Sequence, residues 1–292
     1  MDGLILSGVG GRFTVMDANG IEYVVSAQTK LRRQHIAPMV GDHVGFTPGE
    51  NGNKGWLETV YERKNSLIRP PVANIDVMVM VAAAGNPQPD LLLVDRMLMF
   101  ARQRDITPVI VINKTDEDAG FAERIAEEYS GSLVEVLRTN ALTGEGVDAL
   151  RDRLKGTTHC FCGQSGVGKS SLINALYGTE LETGELSRKI ERGKNTTRHS
   201  RLLPLENGGR VLDTPGFSLL ELELMDPVKM REYYPEFEAY EGTCRFSPCM
   251  HVSEPDCRVC EAVRDGKISY QRYERYKTLF NDMKEKWRDR YD

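Results

Sequence analysis

Asn113-Lys114-Thr115-Asp116 and Gly163-Gln164-Ser165-Gly166-Val167-Gly168-Lys169-Ser170 decide the reading of this chain. The second stretch is G-x-x-x-x-G-K-S, the pattern of a phosphate-binding loop. The first is N-K-x-D, a pattern that reads guanine. An ordinary GTPase carries the phosphate loop first. Here N-K-x-D comes first, by roughly fifty residues. The reversed order points to a circularly permuted GTPase domain.

The chemistry expected of each residue follows from its type. Gly163 and Gly168 let the backbone wrap phosphates, with Gln164, Ser165, Gly166 and Val167 between them. The predicted helix Ser171–Tyr177 adds a favourable N-terminus. Lys169 is expected on the β- and γ-phosphates and Ser170 on Mg²⁺, with the Ser171 hydroxyl near the α-phosphate. Asp116 matches guanine N1–H and the 2-amino group, which adenine lacks. Asn113 and Thr115 belong to the same loop, where Asn113 ties the loop and reaches the base. The stem of Lys114 covers the base face. Thr139-Asn140-Ala141-Leu142 is similar to an S-A-[LK] base-backing loop, with Asn140 in place of Ser and the Ala141 N–H directed at guanine O6. Asp213-Thr214-Pro215-Gly216 reads D-x-P-G: Asp213 is expected to hold Mg²⁺ through water and the Gly216 N–H to sense the γ-phosphate. Phe217 then stands where Ras-like enzymes carry a water-positioning Gln, so slow intrinsic hydrolysis is expected. Thr196-Thr197 lies where switch I belongs, with one threonine completing the Mg²⁺ shell. The basic stretch Arg188–Lys194 reads equally as a solvated loop or as a switch that touches RNA phosphate.

Around these motifs the chain divides into three parts. Residues 1–66 carry five short β-rich runs (Leu4–Gly8, Arg12–Asp17, Glu22–Ser26, His43–Thr47, Gly55–Val60) separated by turn residues, which suggests a small barrel, an OB-fold first and an SH3-like barrel second. Arg69-Pro70-Pro71 marks a break, because two prolines interrupt a ladder or a helix. Residues 67–222 alternate strands and helices, as a parallel sheet covered on both faces requires. Ile75–Ala83, Pro108–Ile112, Leu133–Leu137, Thr158–Cys162 and Arg210–Leu212 read as strands, and Leu91–Gln103, Phe121–Tyr129 and Val147–Leu154 as helices. The motifs fall at the carboxyl ends of the strands, where such sheets bind ligands. Residues 223–292 carry a Cys/His cluster and an amphipathic helix over Tyr270–Tyr291.

Composition narrows the class. The 292 residues are 40% hydrophobic and 28% charged, typical of a globular protein. No apolar run approaches the ~20 residues of a membrane span, and the N-terminus lacks the pattern of a signal peptide, so a cytoplasmic protein with no membrane partner is expected. A net charge of -5 leaves nucleic-acid binding to local patches. Four of six cysteines crowd into Cys244–Cys260, which in a reducing compartment favours metal over disulfide. Cys244, Cys249, His251 and Cys257 form a donor set suited to structural Zn²⁺. An all-thiolate set using Cys260 instead of His251 stays open. Cys160 and Cys162 read as core-strand residues.

The order N-K-x-D, G-x-x-x-x-G-K-S-S, Thr-Thr, D-x-P-G, with a leading barrel and C-x4-C-x-H-x5-C, resembles the RsgA (YjeQ/YloQ) family of small ribosomal subunit biogenesis GTPases. The resemblance extends over nearly the whole chain, Ile68-Arg69-Pro70-Pro71 included. It implies an OB-fold, a permuted GTPase domain and a helical zinc-binding domain, with one zinc on Cys244, Cys249, His251 and Cys257. It implies a cytoplasmic, monomeric GTPase that uses GTP/GDP and Mg²⁺, binds the 30S subunit and its 16S rRNA, is stimulated by it, and assists its late maturation. RNA contacts would come from the zinc domain and the barrel, where Lys30–His35 reads as a contact or as a solvated loop. One departure stands out. The family's switch reads G-[RKQ]-H-T-T, whereas this chain has Gly193-Lys194-Asn195-Thr196-Thr197. Asn195 replaces a histidine thought to position water, with His199 as a substitute four residues on. An amide cannot take a proton near neutral pH. The alternative is therefore a GTP-gated rRNA-binding factor with negligible turnover.

Overall fold

The computed structural model describes residues 1–49, 54–178, 200–213 and 222–291, without the side chains of Arg32, Asp213 and Tyr291. The first strands are β1 (Asp2–Val9), β2 (Arg12–Asp17) and β3 (Glu22–Ala27), then helix α1 (Thr29–Arg33), β4 (His43–Thr47) and β5 (Gly55–Val60). β1, β2 and β3 pair antiparallel, β3 pairs parallel with β5, β5 pairs with β4, and β4 returns to β1. This closed five-strand order is that of an OB-fold, the first of the two barrels expected. The Lys30–His35 stretch is not simply a loop. Its first four residues, Lys30–Arg33, belong to α1, whose Leu31 is buried in the barrel core.

Arg69-Pro70-Pro71 does not end a ladder, contrary to expectation. It is the turn of a hairpin between β6 (Ser66–Ile68) and β7 (Pro71–Ala73), with Ile68 opposite Pro71. Pro71 opens its strand in a two-stranded sheet, where a missing N–H is tolerated.

The α/β region follows as β8 (Val77–Ala83), α2 (Leu91–Gln103), β9 (Thr107–Asn113), α3 (Phe121–Glu128), β10 (Glu135–Arg138), α4 (Val147–Arg153), β11 (Thr158–Cys162), α5 (Lys169–Tyr177), β12 (Arg201–Pro204) and β13 (Arg210–Asp213). The sheet order is β10-β9-β8-β11-β13-β12, parallel except for β12. β12 was not anticipated from the sequence, although Asn207-Gly208-Gly209 is a hairpin signal. β10 begins two residues later than expected, because Leu133 takes a left-handed conformation and stays exposed.

β8 is buried along its whole length, as a central parallel strand should be. Its Met78, Met80 and Ala82 pack with α2 and α3, whereas Val77, Val79 and Val81 pack with α4 and α5. The barrel joins this sheet through β1, where Ser7 pairs with Arg201 of β12. The run Leu4-Ile5-Leu6 serves two cores at once. Ile5 faces the barrel interior, and Leu4 and Leu6 join the cluster around β8 and α2.

The C-terminal part has helices Arg258–Arg264 and Tyr270–Arg288 and a core of Phe237, Val259, Tyr273, Tyr276 and Phe280 that also takes in Met99 of α2. A buried ion cluster fastens it to the sheet domain. Asp95 on α2, fully buried, accepts from both Arg272 and Arg275. Arg272 also bonds Glu236, and Arg275 bonds Glu128 of α3. The Arg272 guanidinium lies between the Tyr129 and Tyr234 rings, 4.8 and 4.9 Å from their centroids. Burial opposes its charge, yet Asp95 and Glu236 outweigh that and raise its pKa. Removing one member of such a cluster strands the others. Asp95→Ala should therefore lower stability by about 3–5 kcal/mol in denaturant unfolding. A loss below about 1 kcal/mol would show that the cluster does not hold the junction.

Candidate functional site

β11 ends at Cys162, and the chain turns immediately into Gly163. A side chain at Gly163 would meet the Val81 carbonyl oxygen at 2.1 Å, and its φ is +132°. The loop therefore needs glycine there to pass so close to β8. Gly166 and Gly168 also have positive φ, and α5 begins at Lys169. Lys169 donates to the carbonyls of Gly163 at 2.9 Å and Gln164 at 2.5 Å, so its ammonium lies across the mouth of the loop. Burial lowers the pKa of this ammonium. Ser165 is exposed, Ser170 and Ser171 are half-buried in the first turn of α5, and Val167 is buried. Gln164 accepts from the Asp90 N–H, which places the loop against the start of α2.

N-K-x-D meets this loop through one side chain. Asn113, the last residue of β9, donates from Nδ2 to the Val167 carbonyl at 3.0 Å. Its Oδ1 accepts from Thr139 Oγ1 at 3.2 Å and from the Ala141 N–H at 3.1 Å. Both polar ends of Asn113, and the Ala141 N–H, are thus engaged within the protein. Thr115 Oγ1 donates to the Thr139 carbonyl at 3.4 Å. Lys114, at φ +60°, donates to the Asn86 carbonyl. Asp116 is exposed and accepts from Asn140 Nδ2 at 2.7 Å. The phosphate loop and the start of α5 are thus tied to the N-K-x-D loop, whose Asp116 carboxylate is exposed. Asn195, Thr196, Thr197, His199, Gly216, Phe217 and the Asp213 side chain lie outside the described residues. The described backbone of β13 ends at Asp213 beside β11, on the same side of the sheet as the phosphate loop.

The second site is the cysteine cluster. The ligand atoms of Cys244, Cys249, His251 and Cys257 all lie within 4.8 Å of one another. His251 Nδ1 is 3.4 Å from Cys257 Sγ and 3.7 Å from Cys244 Sγ, and the latter two sulfurs are 4.0 Å apart. Donors bonded to one zinc at about 2.0–2.3 Å would sit roughly 3.3–3.8 Å apart, so the set is compatible with one zinc ion. The other imidazole nitrogen, Nε2, faces Glu241 at 3.0 Å, which turns Nδ1 toward the sulfurs. Burial raises the pKa of the Cys249 and Cys257 thiols, so their thiolate forms call for a cation. Cys260 is not part of that set, although its thiol neighbours Cys257, and its Sγ is 3.2 Å from the Tyr273 hydroxyl. Cys160 and Cys162 are buried strand residues.

Residues 60–223 match the RsgA GTPase family, and residues 2–57 match the RsgA N-terminal domain. The chain belongs to the RsgA GTPase family. It is 42% identical to a "Small ribosomal subunit biogenesis GTPase RsgA" from Caldanaerobacter subterraneus subsp. tengcongensis, covering 100% of this chain and 98% of that one. The protein of the same name from Geobacillus thermodenitrificans is 41% identical, with 98% of each covered. Among solved structures, YjeQ from Thermotoga maritima superposes with a TM-score of 0.84 at 36% identity, covering 97% of this chain and 98% of that one. YloQ, described as a circularly permuted GTPase, gives 0.78 at 33%, covering 98% and 95%.

RsgA membership makes this chain a GTPase, and its likeness to YloQ bears out the circular permutation expected from its motif order. Sequence reading quoted Thr139 within its motif but gave it no role, and it did not single out Glu241 or the Gln164–Asp90 contact. Glu241 had no spacing signal, because it meets His251 only through the fold of the cluster. A methyl group at Gly168, where φ is +90°, would come within 2.4 Å of Asn113 Nδ2. Gly168→Ala should therefore weaken GDP binding about tenfold or more, measured by calorimetry. Unchanged affinity would show that close packing of the two loops is dispensable.

Proposed function

We propose that this RsgA-family chain is a ribosome-stimulated GTPase that binds the 30S subunit and assists its late maturation. The Asn113 bridge between the N-K-x-D strand and the phosphate loop carries the nucleotide half of this reading. The names of the relatives support the ribosomal half. Asp116 reads guanine, flanked by Asn113, Lys114, Thr115 and Ala141. Residues Gly163–Ser171 hold the phosphates, with Lys169 on the β- and γ-oxygens. Ser170, Thr196 and Asp213 are the residues that would hold Mg²⁺. The parallel pairing of β13 with β11, the strand that runs into the phosphate loop, supports this set. The ion supplies neutralisation of charge that builds on the phosphates. The Gly216 N–H follows the γ-phosphate, and Asn195 or His199 orients water. Cys244, Cys249, His251 and Cys257 hold one structural zinc, a role that four protein ligands favour over catalysis.

The surface for 16S rRNA lies on the barrel and the zinc domain. Exposed Lys30, Arg33 and His35 support the barrel contact. Among the described residues no helix is long and apolar enough to cross a membrane. We read the protein as a cytoplasmic monomer. The domains proposed are 1–66, 67–222 and 223–292.

Hydrolysis assayed with and without 30S subunits tests the main reading. Addition of 30S should raise the rate roughly tenfold or more. No stimulation, with binding to 30S still favoured by a non-hydrolysable GTP analogue, would leave a GTP-gated rRNA-binding factor instead. Asn195 and Phe217 favour that second reading. Elemental analysis of protein purified without chelator should give one zinc per chain, and less than about half would count against the site.

A further inference from the structure

We propose that the cleft between α3 and the start of the helix Tyr270–Arg288 is a docking site for an arginine side chain, with its flanking peptide, of a partner protein. The cleft holds about 630 Å³, and none of the described residues of the nucleotide site or the zinc site borders it. Glu236 does border it, with a side chain only 7% exposed. Its Oε1 accepts from Arg272, whereas its Oε2 is buried and has no hydrogen-bond partner among the described residues. A carboxylate oxygen buried without a donor is costly. Such a group in a folded chain calls for a donor from elsewhere.

The cations already at the cleft are committed. Arg124 pairs with Asp118 and Lys267 with Asp265, and Arg272 is shared between Glu236 and Asp95. Carboxylates are in surplus. Glu127 is exposed at the edge, and Glu128 beside it is engaged by Arg275. The charge of the cleft therefore suits a cationic guest. Its apolar lining, Leu91, Phe121, Ile125 and Ile268, suits a methylene stem behind that charge. Arginine fits better than lysine, because its planar fork reaches more than one carboxylate and is less strongly hydrated. The start of the helix Tyr270–Arg288 also borders the cleft, and N–H groups at a helix start suit the carbonyls of the flanking peptide. An anion at that helix start would face Glu127, Glu128 and Glu236 instead. This reading is independent of the ribosomal one.

The test titrates the full chain with the peptide acetyl-Gly-Arg-Gly-amide and follows the δ1-methyl NMR signals of Ile125 and Ile268, which border the cleft. Both signals should shift and saturate. The same peptide with citrulline, which keeps the shape and loses the charge, should bind about tenfold more weakly or worse. Glu236→Gln should weaken the arginine peptide about tenfold. Glu127→Gln, a change at an exposed position that leaves the buried ion cluster intact, should weaken it about threefold. GDP affinity should stay at the wild-type value in both variants, which separates a lost docking site from a lost fold. Should Glu236→Gln fail to fold, the citrulline peptide and Glu127→Gln decide the matter. Equal affinity for the arginine and citrulline peptides would overturn the proposal, as would no shift at about 10 mM peptide. Shifts of the same methyls by inorganic phosphate or acetyl-Gly-Glu-Gly-amide, and not by the arginine peptide, would overturn it in favour of an anion site. Displacement of the arginine peptide by a short single-stranded RNA would overturn it in favour of a nucleic-acid surface.

Discussion

The Asn113 carboxamide is the contact on which the nucleotide site depends. It joins three segments far apart in the chain: the end of β9, the Thr139–Ala141 loop and the phosphate loop at Val167. It is buried, with Nδ2 donating and Oδ1 accepting twice, so loss of any one segment would leave a polar group unpaired in the interior. Gly168 must lack a side chain for this contact to form. The phosphate-gripping and base-reading halves are therefore set at a fixed distance. Circular permutation leaves that geometry intact, because the same neighbouring strands deliver the same loops whichever is translated first.

The flanking parts are fastened to this centre by different physics. The barrel attaches mainly by apolar packing, through a strand whose alternate residues enter two cores. The C-terminal part shares apolar contacts with α2, Met99 among them, and adds buried charge. Asp95 is surrounded by two guanidiniums that themselves need Glu236 and Glu128. Apolar packing tolerates small shifts, whereas a buried ion cluster is satisfied in few geometries. The junction between α2 and the helix Tyr270–Arg288 should accordingly be the more rigid of the two. The start of α2 also touches the phosphate loop, through Asp90 and Gln164.

Much of the site was legible because its chemistry is local. N-K-x-D spans four residues, G-x-x-x-x-G-K-S eight and the Cys/His set fourteen, so each lies in one short stretch of chain. Whether Cys260 or His251 joins the cluster was not decidable from spacing. It depends on which sulfur the helix Tyr270–Arg288 covers, and Tyr273 covers Cys260. Pro70-Pro71 misled for a related reason. Proline excludes a ladder hydrogen bond at one atom, and only the pairing scheme reveals whether that atom needs one.

The sequence by itself determined that a permuted GTPase sheet, a small β-barrel and a metal-ready cluster share one chain. Motif order and periodicity are properties of the chain alone. The tertiary structure alone decided which side chains meet across it: Asn113 with Val167, Asn140 with Asp116, Glu241 with His251, and Asp95 with two arginines. These pairs form between elements set side by side by sheet order and helix packing, and in most of them no residue spacing encodes the partner.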